Sequence, residues 1–195
     1  TLSDVLPIVR AIGGSGVEAT AIMPAGADPH SFTISAQLQA ELAKADLIVY
    51  SRTQFMEFEN TIKQALPEAP AVDWPDYEPH GARFKDFVDN PQNPHGFWLD
   101  HDNAAAMARG IAARFKEAGV DAAMVDANLQ RFVEELQALR ATTEELMRDA
   151  GLEGKSFVAA VACIDYVIEN TGAKVGRVLL QEGAATLSGQ AIKET

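Results

Sequence analysis

One long helical pattern constrains this chain more than any other feature of its sequence. From about Ala122 to Met147, largely apolar positions recur alternately every four and every three residues, which is typical of a helix with one buried stripe. The stripe consists of Val125, Leu129, Phe132, Leu136, Leu139, Thr143 and Leu146. Its spacing is that of a coiled coil, but one short stretch more often forms a single helix packed on a globular core. Such a helix spans about 40 Å, enough to cross a small domain.

Shorter strand and helix patterns alternate before and after this helix. The order strand, helix, strand with short connections is the parallel crossover pattern, so loops that bind ligands should gather at the carboxyl ends of the strands. We therefore predict an α/β fold with parallel sheets. The predicted strands are 17–23, 47–50, 71–74, 157–162 and 174–180, and the predicted shorter helices are 3–12, 35–45, 56–66, 101–119, 164–171 and one that opens at 187–193.

Composition excludes some classes of protein. The 195 residues carry a net charge of −12, which makes nucleic-acid binding through a basic footprint implausible. A single cysteine, Cys163, cannot form an intrachain disulfide. No apolar run approaches the about 18 residues of a membrane span, and the chain opens with no signal core, as expected of an exported protein that has lost that segment.

Two histidines each follow a proline directly, and both lie beside conspicuous sequence. His30 stands in the segment Met23 to Phe32, after the predicted strand 17–23, and His95 is followed by Trp98 and Leu99, which we expect to anchor its loop. A proline restricts the residue before it, so both imidazoles are carried on stiff backbone. A neutral imidazole on such a loop is a good ligand for zinc or manganese. A single Pro-His pair is nevertheless more often a turn, so the residues alone give only a hypothesis.

The blocks PAGADPHSF, QLQAELAKADLIVY and NPHGFWLD, in that order, resemble the zinc- and manganese-binding solute receptors of bacterial and archaeal ABC transporters, the periplasmic binding proteins of cluster A-I type. The resemblance runs over essentially the whole chain. It implies a receptor that binds one divalent cation, Zn²⁺ or Mn²⁺, between two lobes and delivers it to an ABC permease in the cytoplasmic membrane. It also implies two βα lobes with parallel sheets, joined by a long rigid helix.

Mapped onto the chain, the resemblance predicts a metal-binding lobe over 1–118, the connecting helix over 119–150 and the start of a second, incomplete lobe over 151–195. His30 and His95 carry over as metal ligands. The third ligand of the family would fall at Val161, which cannot bind metal, and the fourth would lie beyond Thr195. Cys163 is a substitute candidate because a thiolate suits zinc and a continued strand would put it on the face of Val161. The alternative for Cys163 is a small buried hydrophobe.

Other polar residues beside these motifs have simpler expected roles. Asp100 is expected to cap the following helix, although it could instead orient a ligand histidine. His80 is expected to be exposed in a long polar loop. His101 is expected to face water at a helix entrance, although it could instead be an auxiliary ligand. Asp165 is a weaker ligand candidate, expected to start a helix, and Glu182 is expected in an exposed loop.

Three functional readings follow. The first is an extracytoplasmic receptor, periplasmic or anchored outside the membrane, that is a monomer and not an enzyme. The second is a binding or adhesion module on the same scaffold with a decayed metal site, which Val161 makes credible. The third and weakest is a metallohydrolase, which needs an open coordination position and a nearby base that the sequence does not display.

Overall fold

The computed structural model describes residues 1–180 of the chain, which form two compact units. The first unit comprises Thr1–Ala82 and Ala105–Val133, and the second comprises Arg83–Ala104 and the chain from Glu134 onward. Each unit contains a two-stranded parallel sheet with helices. The predicted α/β class with parallel sheets is therefore confirmed.

The first unit is built from short helices and a small sheet. Strand β1 pairs with β2 in parallel, with Ile48 opposite Ala71 and Val49 opposite Val72. Its elements, in chain order, are α1 (Leu6–Gly13), α2 (Ala36–Leu42), β1 (Ile48–Val49), α3 (Glu57–Ala65), β2 (Ala71–Val72) and α4 (Trp74–Tyr77). It also contains parts of α5 (His101–Glu117) and α6 (Ala122–Asp149).

Local sequence signals account for the ends of these helices. Ser35 caps α2 as predicted, because its hydroxyl accepts a hydrogen bond from the Leu38 N–H at 3.2 Å. At the end of α1, Gly14 takes φ +54° and its N–H donates to Arg10 O.

The apolar face of α5 supplies much of the core, since Ala106, Met107, Ala108 and Ile111 are fully buried.

The predicted strand at 17–23 is wrong. This segment has no strand partner in the described part of the chain. At its end, the N–H groups of Ile22 and Met23 both donate hydrogen bonds to the same acceptor, Thr1 O. Strand formation depends on a neighbouring strand, and an alternating sequence cannot supply one by itself. His30 therefore lies in a long irregular connection between Gly16 and Ala36.

A buried carboxylate organises the turn after β1. Glu59 is fully buried, and its oxygens accept hydrogen bonds from the Ser51 N–H at 2.8 Å and the Arg52 N–H at 2.9 Å. Burial raises the pKa of Glu59, and these bonds oppose that effect. Helix α3 thus fixes the chain at the carboxyl end of β1.

The second unit follows the predicted order of strand, helix and strand. Its elements are β3 (Ser156–Val161), α7 (Asp165–Asn170) and β4 (Lys174–Leu180), with β3 and β4 parallel. A one-turn 3-10 helix, Ala162–Ile164, links β3 to α7. The helix predicted at 187–193 and the exposed loop predicted at Glu182 lie outside the described residues.

Helix α6 confirms the long predicted helix and contributes residues to both units. Its stripe is buried at Val125 but increasingly exposed toward its end, with Leu139 53% and Leu146 64% accessible. None of the helices within residues 1–180 is both long and apolar enough to cross a membrane.

The predicted boundaries 1–118, 119–150 and 151–195 stay a prediction. Segment 83–104 belongs to the unit that holds β3, α7 and β4. Buried hydrogen bonds attach this segment to that unit. The Asn93 amide donates to Ala162 O, and the Tyr166 hydroxyl of α7 donates to Asn93 O.

Candidate metal centre

The backbone of His30 is held by the carboxylate two residues before it. Asp28 Oδ1 accepts a hydrogen bond from the His30 N–H at 3.0 Å, and Asp28 O accepts one from the Ser31 N–H at 3.3 Å. The hydrogen bond from the His30 N–H, followed by one from the Ser31 side chain, lowers the pKa of Asp28 below its usual value. His30 itself is exposed. Its backbone is thus ordered while its ring is accessible to a cation.

Apolar contacts on both sides anchor this loop in the first unit. Met23, before the loop, is buried. After it, the Phe32 ring packs edge-to-face on Phe58 of α3, with centroids 5.4 Å apart.

The second histidine repeats the same local geometry in the second unit. Asn93 Oδ1 accepts a hydrogen bond from the His95 N–H at 2.9 Å. In both loops, therefore, the backbone N–H of the histidine donates a hydrogen bond to the side-chain oxygen of an Asx residue two positions earlier, with a proline between them. The sequence displays this as Asp28-Pro29-His30 and Asn93-Pro94-His95. The Pro-His pairs by themselves do not predict a role for the Asx residues, but the repeated order Asx-Pro-His in the sequence indicates it.

The anchors of the loop that carries His95 agree only in part with the expectation of Trp98 and Leu99. Phe97 is the buried residue at 1% exposure, while Trp98 is half-buried and Leu99 is 40% exposed. The cause is the left-handed Gly96 followed by a 3-10 turn over Phe97–Leu99, which directs Phe97 rather than its neighbours inward. Phe97 packs edge-to-face on Phe84, with ring centroids 5.5 Å apart.

Cys163 differs from both sequence-based expectations. Strand β3 ends at Val161, so Cys163 lies in the following 3-10 turn and does not continue the face of Val161. It is also exposed, which excludes the buried-hydrophobe interpretation. Val161, the expected third position, is half-buried and apolar. Cys163 therefore stays a candidate ligand on accessibility alone.

The backbone of Gly96, next to His95, lies against the backbone of Cys163. A methyl group on the Gly96 Cα would lie 2.4 Å from the Cys163 carbonyl oxygen, so only glycine fits there without a shift. His95 and Cys163 thus belong to one unit, and His30 belongs to the other. Within residues 1–180, no three His, Cys, Asp or Glu side chains are grouped so that they could hold a metal ion.

Asp100 caps α5 as predicted. Its Oδ1 accepts hydrogen bonds from the Asp102 N–H at 3.1 Å and the Asn103 N–H at 3.0 Å. Its Oδ2 pairs with Lys85 Nζ at 2.6 Å, and Lys85 also pairs with Glu169 at 2.6 Å. Asp100 is thereby assigned to capping and to an ion pair.

Of the two remaining histidines, one has the exposure that we expected and the other does not. His80 is exposed, as predicted. His101 was expected to face water but is only 9% exposed, and burial, followed by the charge of Arg140, lowers its pKa. The backbone N–H of His101 donates to Asn170 Oδ1 at 3.5 Å. Packing against α7 thus covers the entrance of α5.

Asp165 is the buried carboxylate nearest in sequence to Cys163. It is fully buried at the start of α7, as the sequence predicted for a helix-start residue, and its Oδ2 accepts hydrogen bonds from Asn90 Nδ2 at 3.0 Å and Asn93 Nδ2 at 3.1 Å. Burial raises its pKa, and the two amides oppose this. Its Oδ1 is buried without a hydrogen-bond partner among the described residues. A fully buried group of this kind is better suited to support than to ligation.

Comparison with known proteins gives relatives of one kind. The chain is 27% identical over 180 residues to the metal ABC transporter substrate-binding lipoprotein SsaB of Streptococcus sanguinis, and 28% identical over 174 residues to the manganese ABC transporter substrate-binding lipoprotein scaA of Streptococcus gordonii. Each match covers 85% of this chain and 56% of the relative, so the chain spans a little over half the length of these relatives.

Solved structures show the same fold. The crystal structure of ZnuA matches with a TM-score of 0.79 at 23% identity, covering 96% of this chain and 71% of that one. Zn(II)-bound AdcA from Streptococcus pneumoniae matches with a TM-score of 0.74 at 20% identity, covering 97% and 40%. The family described as zinc-uptake complex component A, periplasmic, matches residues 1–195. The chain therefore belongs to the family of periplasmic zinc-uptake components typified by ZnuA.

Proposed function

We propose that this protein is an extracytoplasmic receptor that captures a divalent transition metal, zinc or manganese, and delivers it to an ABC permease in the cytoplasmic membrane. His30 and His95 are its proposed ligands, and Cys163 is a further candidate. Metal is the cargo in this role, and the protein performs no chemical reaction on it. The named relatives are metal ABC transporter substrate-binding lipoproteins, which supports this proposal.

The observation that carries the proposal is the shared geometry of the two histidine loops. In each, the histidine backbone is bonded by an Asx side chain across a proline, at 3.0 Å for His30 and 2.9 Å for His95. Ordered backbone lowers the conformational entropy that is lost when an imidazole binds a cation. The net charge of −12 also favours cations over anionic partners such as nucleic acid. We propose that the receptor works as a monomer outside the cytoplasm.

The test is metal binding by the full chain after dialysis against a chelator. Zinc or manganese is added, and bound metal is measured by atomic emission together with the dissociation constant. We expect a single bound ion, and His30→Ala and His95→Ala should each weaken binding by about tenfold or more, since even residues that only orient a ligand cost that much. His80→Ala, an exposed histidine, is the matched control and should bind as the unmodified chain does. Equal binding by all three variants contradicts the proposal.

Val161 favours a second candidate, a binding module of the same fold whose metal site has decayed. An apolar, half-buried side chain at the expected third ligand position supports it. In that case His30→Ala leaves both stability and partner binding unchanged, and the dialysis experiment detects no bound zinc or manganese.

A further inference from the structure

The loop that carries His95 is attached to the corner after β3 by buried hydrogen bonds. We call residues 93–96 the His95 loop and residues 162–166 the corner. Asn93 Nδ2 donates to Ala162 O at 3.0 Å and to Asp165 Oδ2 at 3.1 Å, and Tyr166 Oη donates to Asn93 O at 2.5 Å. The exposed fractions of Asn93, Asp165 and Tyr166 are 1%, 0% and 0%. These bonds are therefore shielded from competing water.

The two ends of the Asn93 amide have different partners. Its Nδ2 faces the corner, while its Oδ1 accepts the His95 N–H at 2.9 Å. A carboxylate and a backbone carbonyl can only accept hydrogen bonds, so the corner demands the NH₂ end of the amide. A flipped amide would place oxygen against oxygen at Asp165 and a donor against the His95 N–H. Asp165 thus helps to determine which end of Asn93 meets His95.

We propose that Asp165 is a positioning residue for His95, which it orients through the amide of Asn93. The inference rests on the proposed function, in which His95 is a metal ligand. Asp165 does not touch the cation in this role. It also accepts from Asn90 Nδ2 at 3.0 Å, so it holds two points of the segment that leads to His95.

An apolar residue at this position would not substitute for the carboxylate. It would leave the half-buried Asn90 amide without the Asp165 carboxylate as acceptor, and the buried Asn93 Nδ2 with Ala162 O alone among its described acceptors. The histidine would then sample more orientations before binding, and this freedom would be lost when the metal binds. Weaker metal binding follows, even though no ligand is removed.

The experiment compares two substitutions at this site with zinc ion as the probe, supplied to the full chain from a chelator-buffered solution. Asp165→Ala removes the acceptor and should weaken zinc binding by about tenfold or more, the range for groups that orient a ligand histidine. Asp165→Asn keeps one acceptor oxygen for both amides and should bind zinc as the unmodified chain does. Rescue by asparagine distinguishes hydrogen-bond acceptance from charge.

A matched control lies on the same helix. Asn170→Ala also removes side-chain bonds to this segment, from Nδ2 to Leu99 O at 2.7 Å and from the His101 N–H to Oδ1, but these lie beyond the His95 loop. Asn170→Ala should lower the urea midpoint but should not show the loss of zinc affinity expected for Asp165→Ala. If Asp165→Ala binds zinc as tightly as Asn170→Ala does, or if Asp165→Asn is as weak as Asp165→Ala, the positioning role is refuted.

A parallel measurement separates this inference from the proposed function. Hydrogen exchange of the His95 amide is followed in the metal-free chain, where Asp165→Ala should accelerate it and Asn170→Ala should not. If His95→Ala binds zinc normally, the ligand assignment fails, yet the exchange experiment still decides whether Asp165 orders the loop. Unchanged exchange in Asp165→Ala overturns the inference whatever the metal result.

Discussion

Replacing Gly96 by alanine tests the contact between the His95 loop and the corner directly. Gly96 has φ +68°, in the left-handed region, and an added methyl would lie 2.4 Å from the Cys163 carbonyl oxygen. Gly119 provides a matched control, because it has φ +88° and an added methyl there meets nothing within 4 Å among the described residues. The pair of variants separates the close approach from the cost of the backbone conformation.

The expected magnitudes differ clearly. The left-handed conformation costs a non-glycine residue about 1–2 kcal/mol, which applies to both variants. Overpacking against a backbone atom that cannot rotate away adds about 1–3 kcal/mol at Gly96 alone. Gly119→Ala should therefore lose about 1–2 kcal/mol of unfolding free energy, and Gly96→Ala about 2–5 kcal/mol.

The assay is urea unfolding followed by far-UV circular dichroism, with zinc affinity measured on the same samples. Gly96→Ala should also weaken zinc binding, since the displaced backbone carries His95, whereas Gly119→Ala should not. Equal losses of stability in the two variants would refute the reasoning, because the contact with Cys163 would then contribute nothing.

Two further substitutions test buried hydrogen bonds. Burial alone would raise the pKa of Asp73, but hydrogen bonds led by that from Lys63 outweigh it and hold the pKa below its ordinary value of 3.8. Asp73→Asn should therefore cost about 1–3 kcal/mol in urea unfolding at pH 7, and this difference should shrink as the pH falls below 3.8 through the lowered pKa. Tyr166→Phe removes the hydroxyl that donates to Asn93 O and accepts from the Lys85 N–H at 3.0 Å, and should cost about 1–3 kcal/mol in the same assay. An unchanged urea midpoint in either variant would contradict its prediction.

Much of the fold was predictable because its signals are local. The span of α6, the Ser35 cap and the Asp100 cap each depend on residues within one or two turns of helix, and each is found where the pattern indicated. The stripe of α6 is buried at Val125 but exposed at Leu139 and Leu146, so its burial was predicted only in part. The parallel pairing of β3 with β4 also followed, since a short strand, helix and strand leave few other connections.

The failures have a common cause in contacts between distant parts of the chain. The segment 17–23 alternates like a strand, but pairing depends on backbone that the segment does not contain. Cys163 is exposed because β3 ends at Val161, and His101 is covered because α7 packs near it. No local pattern reports these neighbours.

By itself the sequence determined the long helix, the helix caps, the order strand, helix, strand of β3, α7 and β4, and the two Pro-His pairs, because capping, periodicity and proline act between near neighbours. Only the tertiary structure decided that Asn93 bonds to Asp165, and that Gly96 abuts Cys163. These contacts join residues about seventy positions apart, and chain folding alone brings such residues within hydrogen-bond distance.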